Sequence, residues 1–215
     1  MRMRTVVVFC IIIPALLACV DKDKKQGQAP QVKNQGADAK QPKNQEPAGD
    51  KDKNDANIPL PPKQAEFVKA VESFFSSYKS ASNELKKSAL RSERRQSISN
   101  TLEGYEINGW VGTLVRMGTN SEGKAHVEIK LAGSNKIAVK TWNNALSDIT
   151  DSTLIGNGTP LYNAISELSN GDKIVFSGVF IVDEKDYIRE SSITERGSML
   201  DPAFVIRLTE VTKVK

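Results

Sequence analysis

The sequence predicts a mainly β fold: a five-stranded barrel with one inserted helix, preceded by an amphipathic helix and a disordered tether. Three observations carry this. Residues 100–215 hold stretches of period-two apolar alternation separated by Gly- and Asn-containing turns, with a single Thr-Pro helix start among them. Residues 63–98 place their apolar side chains at helical spacing. Residues 20–62 have no aromatic residue and few aliphatic ones. The expected layout is a leader over 1–18, a linker over 19–62, a helix over 63–98 and the barrel over 99–215.

The leader has a basic start, Arg2 and Arg4, an apolar run over residues 6–17, and small Ala18 before Cys19. That order is the pattern of a secretory signal peptide, and the run is too short for a stable membrane span. The end of the run, Leu16-Leu17-Ala18-Cys19, resembles the lipobox of bacterial lipoproteins. The resemblance implies cleavage between Ala18 and Cys19, a diacylglycerol on the Cys19 thiol and usually acylation of the new amino terminus. Two or three acyl chains exceed the limit of weak, reversible membrane binding by one chain. Val20, not Asp, follows Cys19, which resembles lipoproteins sorted to the outer rather than the inner membrane. The other cysteine, Cys10, lies in the discarded run. The mature chain then has no internal disulfide, and its folded part must rely on its hydrophobic core.

The linker cannot bury enough apolar area to offset its ordering entropy. Its charges are balanced, eight Lys against seven Asp and Glu, so it is neither a basic arm nor an acidic tail. A flexible chain of about 40 residues spans roughly 35 Å, enough to let the folded part work away from a bilayer. After Pro61-Pro62, the residues Phe67, Val68, Val71, Phe74, Phe75 and Tyr78 form a helical stripe, and Leu85, Ala89 and Leu90 continue it more weakly. A break is expected near residues 80–83. The second half is basic, with Lys86, Lys87, Arg91, Arg94 and Arg95 against Glu84 and Glu93, a pattern read as a solvated face or a contact with anionic headgroups or an acidic partner.

In the barrel region the first strand holds Ile107, Val111, Val115 and Met117 on its expected apolar side. Residues 118–123 make a turn. Ala125, Val127, Ile129 and Leu131 then alternate with Lys124, His126, Glu128 and Lys130 in the second strand, and residues 137–142 form a third. Thr159 before Pro160 caps a short helix over 160–168. Residues 174–182 are apolar on both sides, as in a strand packed on two faces, and Phe204, Ile206 and Leu208 alternate in the last strand. The order strand, strand, strand, helix, strand, strand is that of the OB-fold, and Gly109, Gly112 and Gly178 suit its bends. Val175-Phe176-Ser177-Gly178, with residues 191–195, Asp201-Pro202 and Phe204, resembles a bacterial family of OB-type domains without an assigned activity. That resemblance implies fold and no site residue.

Charge argues against nucleic acid. Of the chain's +4, the leader carries +2, the linker +1 and residues 63–98 carry +4, which leaves the barrel at −3. A phosphate-binding groove needs the opposite sign. No catalytic residue, metal site or cofactor is expected. A serine triad or zinc site would require the one histidine, His126, on a polar strand face, and Asp148, Asp151, Glu190 and Glu195 are spread along the sequence. The expectation is a binding or adaptor module in the bacterial cell envelope, anchored through lipid on Cys19, with a protein or glycan partner. The alternative is an envelope hydrolase or transferase with a carboxylate site. Two long connections, residues 143–159 and 183–202, are the places to look. In the second, Tyr187 and Arg189 are the expected partner contacts, and Ser192 with Glu195 matches a capping box.

Overall fold

The structure is a computed structural model that describes residues 59–215. The expected signal peptide, Cys19 and the linker as far as residue 58 lie outside the described residues. The described chain opens as a helical hairpin, α1 (Pro62–Ser80) and α2 (Glu84–Thr101). Pro62 starts α1 where a missing N–H costs nothing. The break falls at residues 81–83, where Ala81 is extended and the Asn83 side chain caps α2 by accepting from the Lys86 N–H at 2.9 Å. The stripe on α1 is buried as expected, at Phe67, Val68, Val71, Phe75 and Tyr78. Its continuation on α2 is not: Leu85 is 84 % exposed, and the buried residues of α2 are Arg94 and Ile98.

The barrel closes in the order β1 (Glu106–Thr119), β2 (Ala125–Leu131), β3 (Ala138–Lys140), β7 (Ala203–Lys213), β4 (Lys173–Phe180) and back to β1. All neighbours are antiparallel except β3 and β7, which run parallel over three residues. With α3 (Pro160–Ser166) between β3 and β4, this is the OB-fold-like arrangement that the element order predicts. Thr159 caps α3 by accepting from the Tyr162 N–H at 3.2 Å.

β1 corrects one expectation. Its core residues are Ile107, Trp110, Val111 and Leu114, while Val115 is 36 % exposed and Met117 only partly buried. The register shifts twice along the strand, between Ile107 and Trp110 and between Leu114 and Arg116, and each bulge moves the following residues to the other face. Gly109 takes the left-handed conformation at the first bulge, with φ of 64°. At Gly112 a Cβ would lie 2.5 Å from the Lys130 carbonyl, so this close strand approach requires glycine. β4 corrects another. Ile174, Phe176 and Phe180 face the core, while Val175, Ser177 and Val179 are half-buried on the outside. Among the described residues, the strand therefore has one fully packed face and one half-buried face.

Two helices fill the barrel from opposite ends of β4. α3 leads into the start of β4 and adds Ile165, with Leu168 behind it. α1 reaches the other end, where Phe67 packs on Trp110, Phe180 and Phe204 with ring centroids 5.2, 5.6 and 5.3 Å away. The inner space is occupied by side chains, as in a small barrel.

Candidate functional site

The connection 183–202 folds into a two-stranded hairpin, β5 (Val182–Asp183) with β6 (Tyr187–Ile188), and a short helix, α4 (Glu195–Leu200). The cap of α4 is Thr194, which accepts from the Gly197 N–H at 3.1 Å; Ser192 turns its hydroxyl to the Thr194 carbonyl. The capping pair is thus shifted from the expected Ser192 and Glu195. Tyr187 sits in the left-handed region at φ 72°, a strained place for a bulky residue. Its ring stacks on Tyr105 at 5.0 Å and its hydroxyl donates to the Leu102 carbonyl at 3.3 Å. Arg189 reaches the other way, to Asp151, and lies 3.7 Å from Asp183. Both residues expected to contact a partner are therefore engaged within the chain, Tyr187 against the α2–β1 junction and Arg189 as a clamp between the two long connections.

The connection 143–159 is rigid by construction. Asp148 accepts from the Thr153 hydroxyl at 2.7 Å and the Leu154 N–H at 3.1 Å. Asp151, 3 % exposed, accepts from the Trp142 indole N–H at 2.7 Å, the Thr150 hydroxyl at 2.9 Å and Arg189. Burial alone would raise the Asp151 carboxyl; these donors outweigh burial and hold it below the usual carboxylate range. Arg207 of β7 donates to the Asp151 and Ser152 carbonyls at 2.6 and 3.2 Å, and Ser152 has φ of 51°. Ile155 then bridges to Ala125 at the start of β2.

With its acidic groups turned inward, this loop presents apolar ones outward. Leu146 is 81 % and Ile149 75 % exposed. Four of the six large hydrophobic residues exposed among the described residues, Leu146, Ile149, Val182 and Ile193, lie between β3 and α3 or between β4 and β7. Beside Ile149, an open cavity of about 360 Å³ is lined by Glu122, Lys124, Ala145, Asp148 and Leu154. The neighbouring strand face is charge-compensated, with Glu128 3.7 Å from Arg116 and 3.9 Å from Lys140. His126 stands beside them, its pKa lowered by burial and then by Lys140 and Arg116, so it is neutral at pH 7.

The other side of the 183–202 connection receives α2. Arg91 holds Asp186 by two hydrogen bonds, one of 2.7 Å from Nε, and lies 4.0 Å from Glu195. Arg94 donates to Glu190 and, at 2.6 Å, to the Ser198 carbonyl. The basic run of α2 is thus in part an internal docking face. Asp148, Asp151, Glu190 and Glu195 all have internal partners, Glu195 accepting from the Tyr78 hydroxyl at 3.2 Å. Sequence reading missed Leu146 and Ile149; the available signal was two large aliphatic residues within a stretch, 143–153, that is otherwise polar apart from Ala145. No family model and no curated protein matches the chain.

Proposed function

We propose that the chain is a lipid-anchored protein of the bacterial cell envelope whose barrel is an adaptor for a protein partner, bound through residues 143–159. One observation carries this reading: Leu146 and Ile149 are exposed on a loop whose backbone is already fixed by Asp148, Asp151, Thr153 and Arg207. Aliphatic anchors on a preorganised loop lose little entropy on binding. A sugar chain would ask for an open aromatic platform, and Trp142 is partly buried with its indole N–H committed to Asp151. Protein therefore fits better than glycan, and the internal partners of the four carboxylates weigh against a hydrolase or transferase.

Attachment is proposed through acylated Cys19, with the outer membrane favoured by Val20. The described chain begins beside the β2–β3 turn, where Leu60 packs on Gly133, while Lys124 and Ile149 line one cavity at the other end of β2. Seven residues of strand separate the two by about 20 Å, so the loop lies at the opposite end of β2 from Leu60. The test is crosslinked capture from envelope membranes with the full chain and with Leu146→Ser/Ile149→Ser. A partner retained by the wild type and lost by the variant supports the reading; equal capture of every partner overturns it.

A further inference from the structure

The pair Asn-Gly occurs three times, at residues 108–109, 157–158 and 170–171. In such a pair the main-chain nitrogen of the glycine can close a ring on the asparagine side-chain carbonyl, and a residue without Cβ offers least obstruction. The three pairs share what this approach asks for. Asn108, Asn157 and Asn170 are exposed, their glycines have φ of 64°, 76° and 96°, and a Cβ built on any of these glycines would meet nothing within 4 Å. They differ at the glycine N–H. Gly109 donates to the Ser177 hydroxyl at 3.1 Å, and Gly171 donates to the Leu114 carbonyl at 2.7 Å. The Gly158 N–H has no acceptor among the described residues. Asn108 is further held within β1, and the turn at Asn170 is tied by Asp172, which donates its N–H to the Ser169 carbonyl at 3.0 Å and accepts from the Ser169 N–H at 2.9 Å. Asn157 and Gly158 are the two central residues of a turn that Thr159 closes on the Gly156 carbonyl, and neither is held by a hydrogen bond of its own among the described residues.

We propose that Asn157 is a site of spontaneous deamidation, selected by the free N–H of Gly158. The Gly158 nitrogen attacks Cγ of Asn157, its proton passes to water, and the Cγ–Nδ2 bond breaks with release of ammonia, which leaves a five-membered cyclic imide. Water reopens the ring at either carbonyl. One opening gives aspartate; the other gives isoaspartate, in which the main chain runs through the former side-chain carbonyl and is one methylene longer. No oxidant or cofactor takes part, and either product adds a negative charge. The position gives the change a structural effect. On one side Ile155 is tied to Ala125 by backbone bonds of 2.8 and 2.9 Å, and on the other Thr159 caps α3 by accepting from the Tyr162 N–H. A methylene added between these two fixed points displaces the Gly156–Thr159 turn and with it the cap. The connection 143–159 therefore ages from its α3 end, whatever partner it meets.

The test holds the full chain in warm, mildly alkaline buffer and maps its peptides by mass spectrometry for exchange of –NH2 for –OH. Asn157 should convert at least about fivefold faster than Asn108 or Asn170, the factor set by the one hydrogen bond that each of those sites must first break. In urea that unfolds the chain the three rates should converge. Equal rates in the folded chain overturn the proposal, and so does an undiminished lead of Asn157 in urea, which would assign the preference to local sequence and not to the fold. In Asn157→Gln, where the longer side chain must close a larger ring, the early product should be missing; its persistence also overturns the proposal. Hydrogen exchange at the Tyr162 amide should quicken in the isoaspartyl fraction, and an unchanged rate overturns the effect on α3.

Discussion

Gln64 of α1 grips Val111 of β1 by both of its backbone groups: its Nε2 donates to the Val111 carbonyl and the Val111 N–H donates to its Oε1, each at 2.7 Å. The same Nε2 donates to Ala132 at 3.1 Å. A side-chain amide thus takes the part of a strand residue at the edge of β1. Gln64→Ala should lower stability by about 1–3 kcal/mol, because the buried Val111 N–H loses its acceptor, while the Val111 carbonyl keeps the Ala132 N–H at 2.9 Å. Gln64→Glu should be worse near pH 7.5, where a carboxylate would meet two carbonyls, and should recover towards pH 5. Urea unfolding at the two pH values reads both outcomes.

Phe67 makes the helix part of the barrel's core. Its side chain is fully buried and touches rings from β1, β4 and β7, so Phe67→Ala should cost about 3–5 kcal/mol. A chain that begins at Pro59 should melt cooperatively without any cysteine. One that begins at Asn100 should lose the sharp transition in circular dichroism.

The clamp between the long connections makes a graded prediction. Asp151 serves three donors and is buried, whereas Arg189 keeps a third of its side chain in water. Asp151→Ala should cost about 1–3 kcal/mol and Arg189→Ala about 1 kcal/mol or less. Because the Asp151 carboxyl is held low, its contribution is present above its free value, near pH 4, and disappears as pH falls through the folded value. The gap between wild type and Asp151→Asn in thermal melts should narrow accordingly in acid.

Acylation at Cys19 predicts that Cys19→Ala takes up no labelled palmitate and retains its leader. Equal labelling of both proteins, followed by gel autoradiography, would reject the anchor.

Local signals were well read where one residue decides a local outcome. Thr159-Pro160 started a helix, the Ser/Asn stretch at 80–83 broke one, and β2 alternated cleanly. Strand order followed from the sequence of elements. The exposure of Val115 was hidden because a bulge changes facing without changing composition. Arg91 and Arg94 looked like a solvated face because their partners lie more than 90 residues away, in a hairpin and a helix that the stretch 183–202 does not announce. Tyr187 and Arg189 were singled out for chemistry that suits a partner, and the fold itself makes use of that chemistry. Leu146 and Ile149 owe their exposure to the inward turn of Asp148 and Asp151, which no pattern of period two or 3.6 records.

The plug formed by Phe67 also bears on the order in which a growing chain can fold. α1 is made before every strand, yet two of the three rings that cover Phe67 come from Phe180 and Phe204, near the end of the chain. Until the ribosome has supplied β4 and β7, Phe67 has only Trp110 of its three ring partners to rest against. Pairings this distant in sequence form slowly, and the uncovered stripe is the part of the nascent protein most prone to aggregate. A chain of this design therefore gains most from a holding chaperone early in synthesis, before its last strand exists.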